Sequence, residues 1–245
     1  KFVAELAKRE AALEAFVSRK HQELVAGART RVAEYLMAAY AARNQPATDD
    51  FMLIADPNDL NPTMILRWRV YLEKMGRQPH AVWRPWNRLA AIPEPQFADQ
   101  AAGVLTRILA EETGDAPLNP RVRQRLASLK PQAMSEVAAA YAELMRQVDK
   151  EWGDKIASAA KENRPAPKAL DDPTAEQLRT VLYGPDAPPD VPVLLGWGFL
   201  TLLPDRASQG EYQKLLKEVE SHMTTGAGAP SRALVLRDSA QPYDA

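Results

Sequence analysis

Between residues 2 and 42, apolar side chains recur at intervals of three, four and seven. This period constrains the chain more than any other feature. Phe2, Leu6, Leu13, Phe16, Val17, Leu24, Ala28, Val32, Tyr35, Leu36 and Ala39 form the set, with polar residues between them. Successive residues turn about 100° around a helix axis, so such spacing puts the whole set on one face. The expectation is one amphipathic helix from near Lys1 to about Ala42, roughly 60 Å long at about 1.5 Å per residue. Gly27 weakens that helix without breaking it. The stretch 43–50, with Asn44, Pro46 and Thr48, ends it.

Three later helices start with one device: Asn61-Pro62, Asn119-Pro120 and Asp172-Pro173. The Asn or Asp oxygen accepts a free backbone N–H. The proline stands where an N–H would have no helical partner. These helices run to about Met75, Leu129 and Leu182. Gly76 and Gly184 then occupy positions where a left-handed terminal residue is wanted. Further helices are expected over about Phe97 to Glu112, Met134 to Lys161 and Gln209 to Met223. The second of these carries Val137, Tyr141, Leu144, Val148, Trp152 and Ile156 on one stripe. The stretches 163–173 and 185–192 are proline-rich connections. The run from Arg232 to Arg237 is extended in type, and its apolar Leu234, Val235 and Leu236 have no second strand to pair with.

The fold class expected is therefore all-α in the main: an irregular helical bundle with long antiparallel helices and a short C-terminal strand-like segment. Residues 1–50 form the long first helix and its turn, and 51–184 the bundle core. Residues 185–230 form the proline-rich connection and last helix, and 231–245 the start of a following domain. Aromatic residues make up only 7%, which also favours helices over a sandwich of sheets.

Composition removes several function classes. A formal net charge of -1 gives no overall pull towards nucleic acid or anionic lipid. Without cysteine there is no disulfide, thiolate metal site, iron–sulfur cluster or covalent haem in this chain. The longest apolar stretch, Val191 to Pro204, is interrupted by Pro192, Gly196 and Gly198 and is shorter than the about 20 residues of a membrane span. Lys1 is not a natural start, so the chain is expected to be a piece of a longer protein.

No motif supplies chemistry. His21, His80 and His222 stand on separate elements without a second ligand three or four residues away, and read as solvated or hydrogen-bonded surface histidines. Asp56-Pro-Asn-Asp-Leu-Asn61 lacks the glycine and glutamate of a calcium loop and reads as a turn with a helix cap. Gly226-Ala-Gly228 has no preceding strand and reads as a linker. The pairs Glu111-Glu112 and Asp171-Asp172 do not aim two carboxylates at one bond. No catalytic residue, metal ligand or cofactor site is expected.

The unusual segment is 61–92. It holds Trp68, Tyr71, Trp83 and Trp86 among Arg67, Arg69, Lys74, Arg77, Arg84 and Arg88, against one acid, Glu73. Ile65, Trp68 and Leu72 share one helical face and Trp86 and Leu89 another, so a core with a basic rim is the leading reading. The other reading is a sugar platform in which rings stack on the ligand and guanidinium groups bond its hydroxyls. Its candidate residues are Trp68, Tyr71, Trp83, Trp86, Arg67 and Arg84. Stacking on nucleic-acid bases is the weakest reading, and no nucleic-acid partner is expected.

Several short stretches resemble the middle of a family of large secreted planctomycete proteins. They are Leu60-Asn-Pro62, Trp68 with Tyr71-Leu72, Pro85-Trp86, Asp172-Pro173, Leu182-Tyr-Gly-Pro185 and Pro230-Ser-Arg-Ala-Leu-Val-Leu-Arg-Asp238. In that family a cytochrome c domain, often present, precedes two planctomycete-specific domains of unknown function. This chain resembles the helical region between those two. The resemblance implies an extracytoplasmic setting, periplasmic or secreted, among redox or polysaccharide-related proteins. Haem would lie elsewhere in the parent, because Cys-x-x-Cys-His is absent here. The function expected is a non-enzymatic helical scaffold or spacer whose partners are its flanking domains. A carbohydrate-contacting or carbohydrate-modifying unit built on 61–92, with polysaccharide as partner, is the alternative.

Overall fold

The computed structural model describes residues 1–45, 54, 56, 58–111, 117–191 and 202–230. The described residues are helical in the main. Among them the sole β pairing is an isolated parallel bridge between Ile54 and Asp205. The helices are α1 (Phe2–Thr30), α2 (Val32–Ala41), α3 (Pro62–Gly76), α4 (Arg84–Ala90), α5 (Phe97–Ala110), α6 (Pro120–Ala127), α7 (Met134–Lys161), α8 (Pro173–Tyr183) and α9 (Arg206–Thr225). The strand-like run at 232–237 lies outside the described residues.

The proline devices form as the sequence implies. Asn61 Oδ1 accepts the Met64 N–H, Asn119 Oδ1 accepts those of Arg121 and Val122, and the Asp172 carboxylate accepts that of Thr174. Two other expectations change. The first helix, expected to run unbroken to about Ala42, divides at Arg31. The Thr30 hydroxyl donates to Ala26 O at 2.9 Å, a back-bond that bends helices. Arg31 is turned out to Glu34 and to Asn58 O. Neither Gly76 nor Gly184 is left-handed. Gly76 is the last residue of α3, and Gly184 is extended, with φ −76° and ψ 165°. Glycine is required at 184 for another reason: a Cβ there would lie 2.5 Å from Thr180 O. The left-handed helix end is Asn163 (φ 51°), after α7. Its N–H donates to Ala160 O and that of Arg164 to Ala159 O, the paired closure of a Schellman end.

The chain divides into two compact units, one of Lys1–Val17 with Ala207–Ala245 and one of Ser18–Arg206. In the first, the start of α1 meets α9. Phe2 stacks on His222 with ring centroids 4.6 Å apart, and Arg9 donates to Glu218 O. In the second, α7 is the central helix. It packs against α2, α4, α6 and α8, while α3 packs on α2 and α4, and α5 on α4 and α6. The buried face of α7 is Met134, Val137, Ala138, Tyr141, Leu144, Met145, Val148 and Trp152. These recur at three and four, so one stripe serves several neighbours. The α7 partner among the N-terminal residues is the short α2, which carries Val32, Tyr35, Leu36 and Ala39 into the core.

Candidate functional site

The four aromatic residues singled out in 61–92 come together, and they do so inside the molecule. Trp68 and Trp83 are 0% exposed, Trp86 2% and Tyr71 9%. Trp83 is the centre. It meets Trp68, Tyr71 and Trp86 edge to face at 6.0–6.3 Å and lies flat on Tyr141 of α7 at 4.9 Å. Edge-to-face and offset-stacked contacts suit the ring quadrupoles and add to the burial of large apolar area. The polar tips are mostly used internally. Trp83 Nε1–H donates to Tyr71 Oη at 3.2 Å, and Tyr141 Oη–H donates to Val82 O at 2.7 Å. Burial pushes the Tyr71 hydroxyl up to about 12 and raises Tyr141 as well, so both stay neutral. Trp68 Nε1 has no hydrogen-bond partner among the described residues.

A stacking platform needs ring faces at the surface. The faces of Trp68, Tyr71, Trp83 and Trp86 are covered by each other and by Tyr141 of α7, so these four rings are not exposed for stacking. The spacing of Trp68 with Ile65 and Leu72 already pointed to the core.

Arg67 and Arg69 act as internal braces, while Lys74, Arg77 and Arg88 form ion pairs at the surface. Arg67 Nε donates to Pro188 O at 2.7 Å, and its Nη2 to Asp190 O at 2.6 Å and Ala187 O at 3.3 Å. Three carbonyls of the proline-rich connection are thereby tied to α3. Burial lowers the proton affinity of Arg67 somewhat, but a guanidinium stays charged at any physiological pH. Arg69 holds Ala42 O and Gln45 O after α2. Lys74 pairs with Asp186, Arg77 with Glu73 and Arg88 with Glu111. Arg84 is buried at the start of α4.

The histidines are all engaged. His21 Nε2 lies 2.6 Å from Val191 O. His80 Nδ1 accepts from two backbone N–H groups, and His222 is buried against Phe2. The oxygen-rich turn is an Asx turn: Asp56 Oδ1 accepts the Asn58 N–H at 2.8 Å. The glycines at 226–228 close the end of α9 instead of forming a linker. Gly226 is crowded by His222, and Gly228 (φ 90°) lies against Phe2. Among the described residues no group of three or more His, Asp or Glu could hold a metal ion. None of their helices is long and apolar enough to cross a membrane.

Two arrangements were not read from the sequence. Arg29 stacks over the Tyr183 ring at 3.8 Å and Arg179 over Trp152 at 4.4 Å, while Tyr183 donates to Asp149. Burial and then Asp149 push the Tyr183 hydroxyl up to about 12. Arg121 bridges Glu151 of α7 at 2.6 Å and Asp172 at 2.8 Å. Both join helices distant in sequence, which local spacing does not reveal. Two open clefts lie on the surface of the described residues. One of about 370 Å³ lies between α6 and α7, over Arg121, Gln124, Arg125, Ser128, Leu144 and Gln147. One of about 410 Å³ lies over Arg88, Ala91, Val104, Arg107 and Glu111. Neither is lined by one of the six candidates.

Compared with protein-family models, with curated proteins and with solved structures, the chain matches none.

Proposed function

We propose that the chain is a non-enzymatic helical scaffold or spacer module of a larger extracytoplasmic protein. One observation carries this reading: the basic and aromatic side chains of 61–92 are spent on the chain itself. The rings fill the core. The guanidinium groups of Arg67 and Arg69 hold backbone carbonyls of otherwise irregular connections. Charged groups held this way stiffen joints between helices and leave little to offer a ligand. A spacer transmits position only if its helices do not slide, and the cross-element bonds of Arg67, Arg121 and Asn119 oppose sliding. The extracytoplasmic setting and the flanking domains as partners rest on the resemblance at 60–86, 172–185 and 230–238.

The test is made in the parent polypeptide, with spin labels on the two flanking domains. The intact module should give a narrow distance distribution. Replacing 18–206 by a Gly/Ser linker of matched reach should broaden it while both flanking domains stay folded. An equally broad distribution before and after the replacement would overturn the spacer reading.

A further inference from the structure

We propose that His80 is an acid-sensitive latch, whose protonation releases the turn that holds α4 to α3, α6 and α7. The ring closes the turn on itself. Its Nδ1 accepts the N–H of Val82 at 3.1 Å and that of Trp83 at 3.3 Å. An imidazole nitrogen accepts only when it carries no proton, so this geometry requires the neutral ring with its hydrogen on Nε2.

What the turn holds gives the ring its leverage. His80 O accepts the Arg84 N–H in the first turn of α4, and Ala81 O accepts the Asn119 N–H at the start of α6. Val82 O accepts the Tyr141 hydroxyl of α7, and the Trp83 indole donates to Tyr71 of α3. Four consecutive residues thus connect four helices. Val82 and Trp83 are fully buried. A proton on Nδ1 would face two N–H donors with a third, and those donors have no water to turn to.

The surroundings favour the neutral form. Burial alone lowers the proton affinity of His80 below the ordinary value of 6.5. The titratable groups that meet the turn are Tyr71 from α3, Arg84 from α4 and Tyr141 from α7; α6 meets it through the uncharged Asn119. Among the described residues none of these is a carboxylate that would retain a proton on the ring. A folded value below the unfolded one means that this contribution is fully present above about pH 6.5. It is lost as the pH falls through the lower folded value.

Two measurements test the latch. Nitrogen chemical shifts of the imidazole should show the Nε2–H tautomer at neutral pH and a titration midpoint below 6.5. In the second, His80→Asn keeps a neutral acceptor within reach of the same amides. Between about pH 7.5 and about pH 5, the unmodified chain should lose about 2–4 °C more melting temperature than this variant. An Nδ1–H tautomer, a midpoint at or above 6.5, or the same pH dependence in both proteins would overturn the proposal. Should the variant fail to fold, the titration of the unmodified chain decides alone.

Discussion

Asn119 carries three separate connections. Its Oδ1 caps α6, its Nδ2 donates to Thr174 O at 2.8 Å and Gln177 Oε1 at 2.9 Å, and its backbone N–H reaches Ala81. It is 1% exposed, so any partner it leaves behind stays dry. Asn119→Ala should therefore destabilise the chain by about 2 kcal/mol or more, at the upper end for a lost cap. Urea unfolding measures it. A loss no larger than the about 1 kcal/mol typical of a helix cap alone would mean that the ties to α8 contribute nothing. The cap itself was legible, because Asn-Pro has a local meaning. The Nδ2 partners were not, because they stand 55 and 58 residues away. Arg67 is the same case: its charge is in the sequence, but its carbonyl partners come from 120 residues downstream and beyond.

Helix boundaries follow local chemistry and were largely readable. The limits of α7 at Met134 and Lys161 and its stripe from Val137 to Trp152 stand as the spacing implied, but Ile156, expected on the same stripe, is 42% exposed because the face it lies on runs past the core. Where two local rules compete, the reading fails. Gly27 was the visible weak point of the first helix, yet a Cβ there meets nothing, and the helix divides at Arg31, after the Thr30 back-bond. At Gly184 the left-handed rule gave the right residue for the wrong reason. The helical glycines Gly103 and Gly153 also have open space where a methyl would stand, whereas Gly184 has Thr180 O at 2.5 Å. Gly103→Ala and Gly153→Ala should each stabilise by about 0.5–1 kcal/mol, because alanine loses less backbone entropy. Gly184→Ala should destabilise, because the clash is with backbone. Thermal unfolding of the three variants checks the signs, and a stabilised Gly184→Ala would remove the close-approach account of the α8 end.

At the scale of the molecule, periodicity announces how many faces must be buried but not which face meets which. That α2 packs against α7, and that Trp83 meets Tyr141, are decisions of the assembled core. The basic rim around the aromatic residues looked like a surface because Arg and Lys are usually solvated. Here several of their heads turn to carbonyls exposed by proline-rich connections, which lack a ladder of their own. The central claim is that segment 61–92 is an internal brace and not a ligand platform. Hydroxyl-radical footprinting of the native chain, read by mass spectrometry at Trp68, Trp83 and Trp86, tests it most directly. The account predicts that all three oxidise as slowly as other core residues such as Met145, and that added oligosaccharides leave those rates unchanged. Rapid oxidation of these rings in the folded chain, slowed by a bound oligosaccharide, would contradict it.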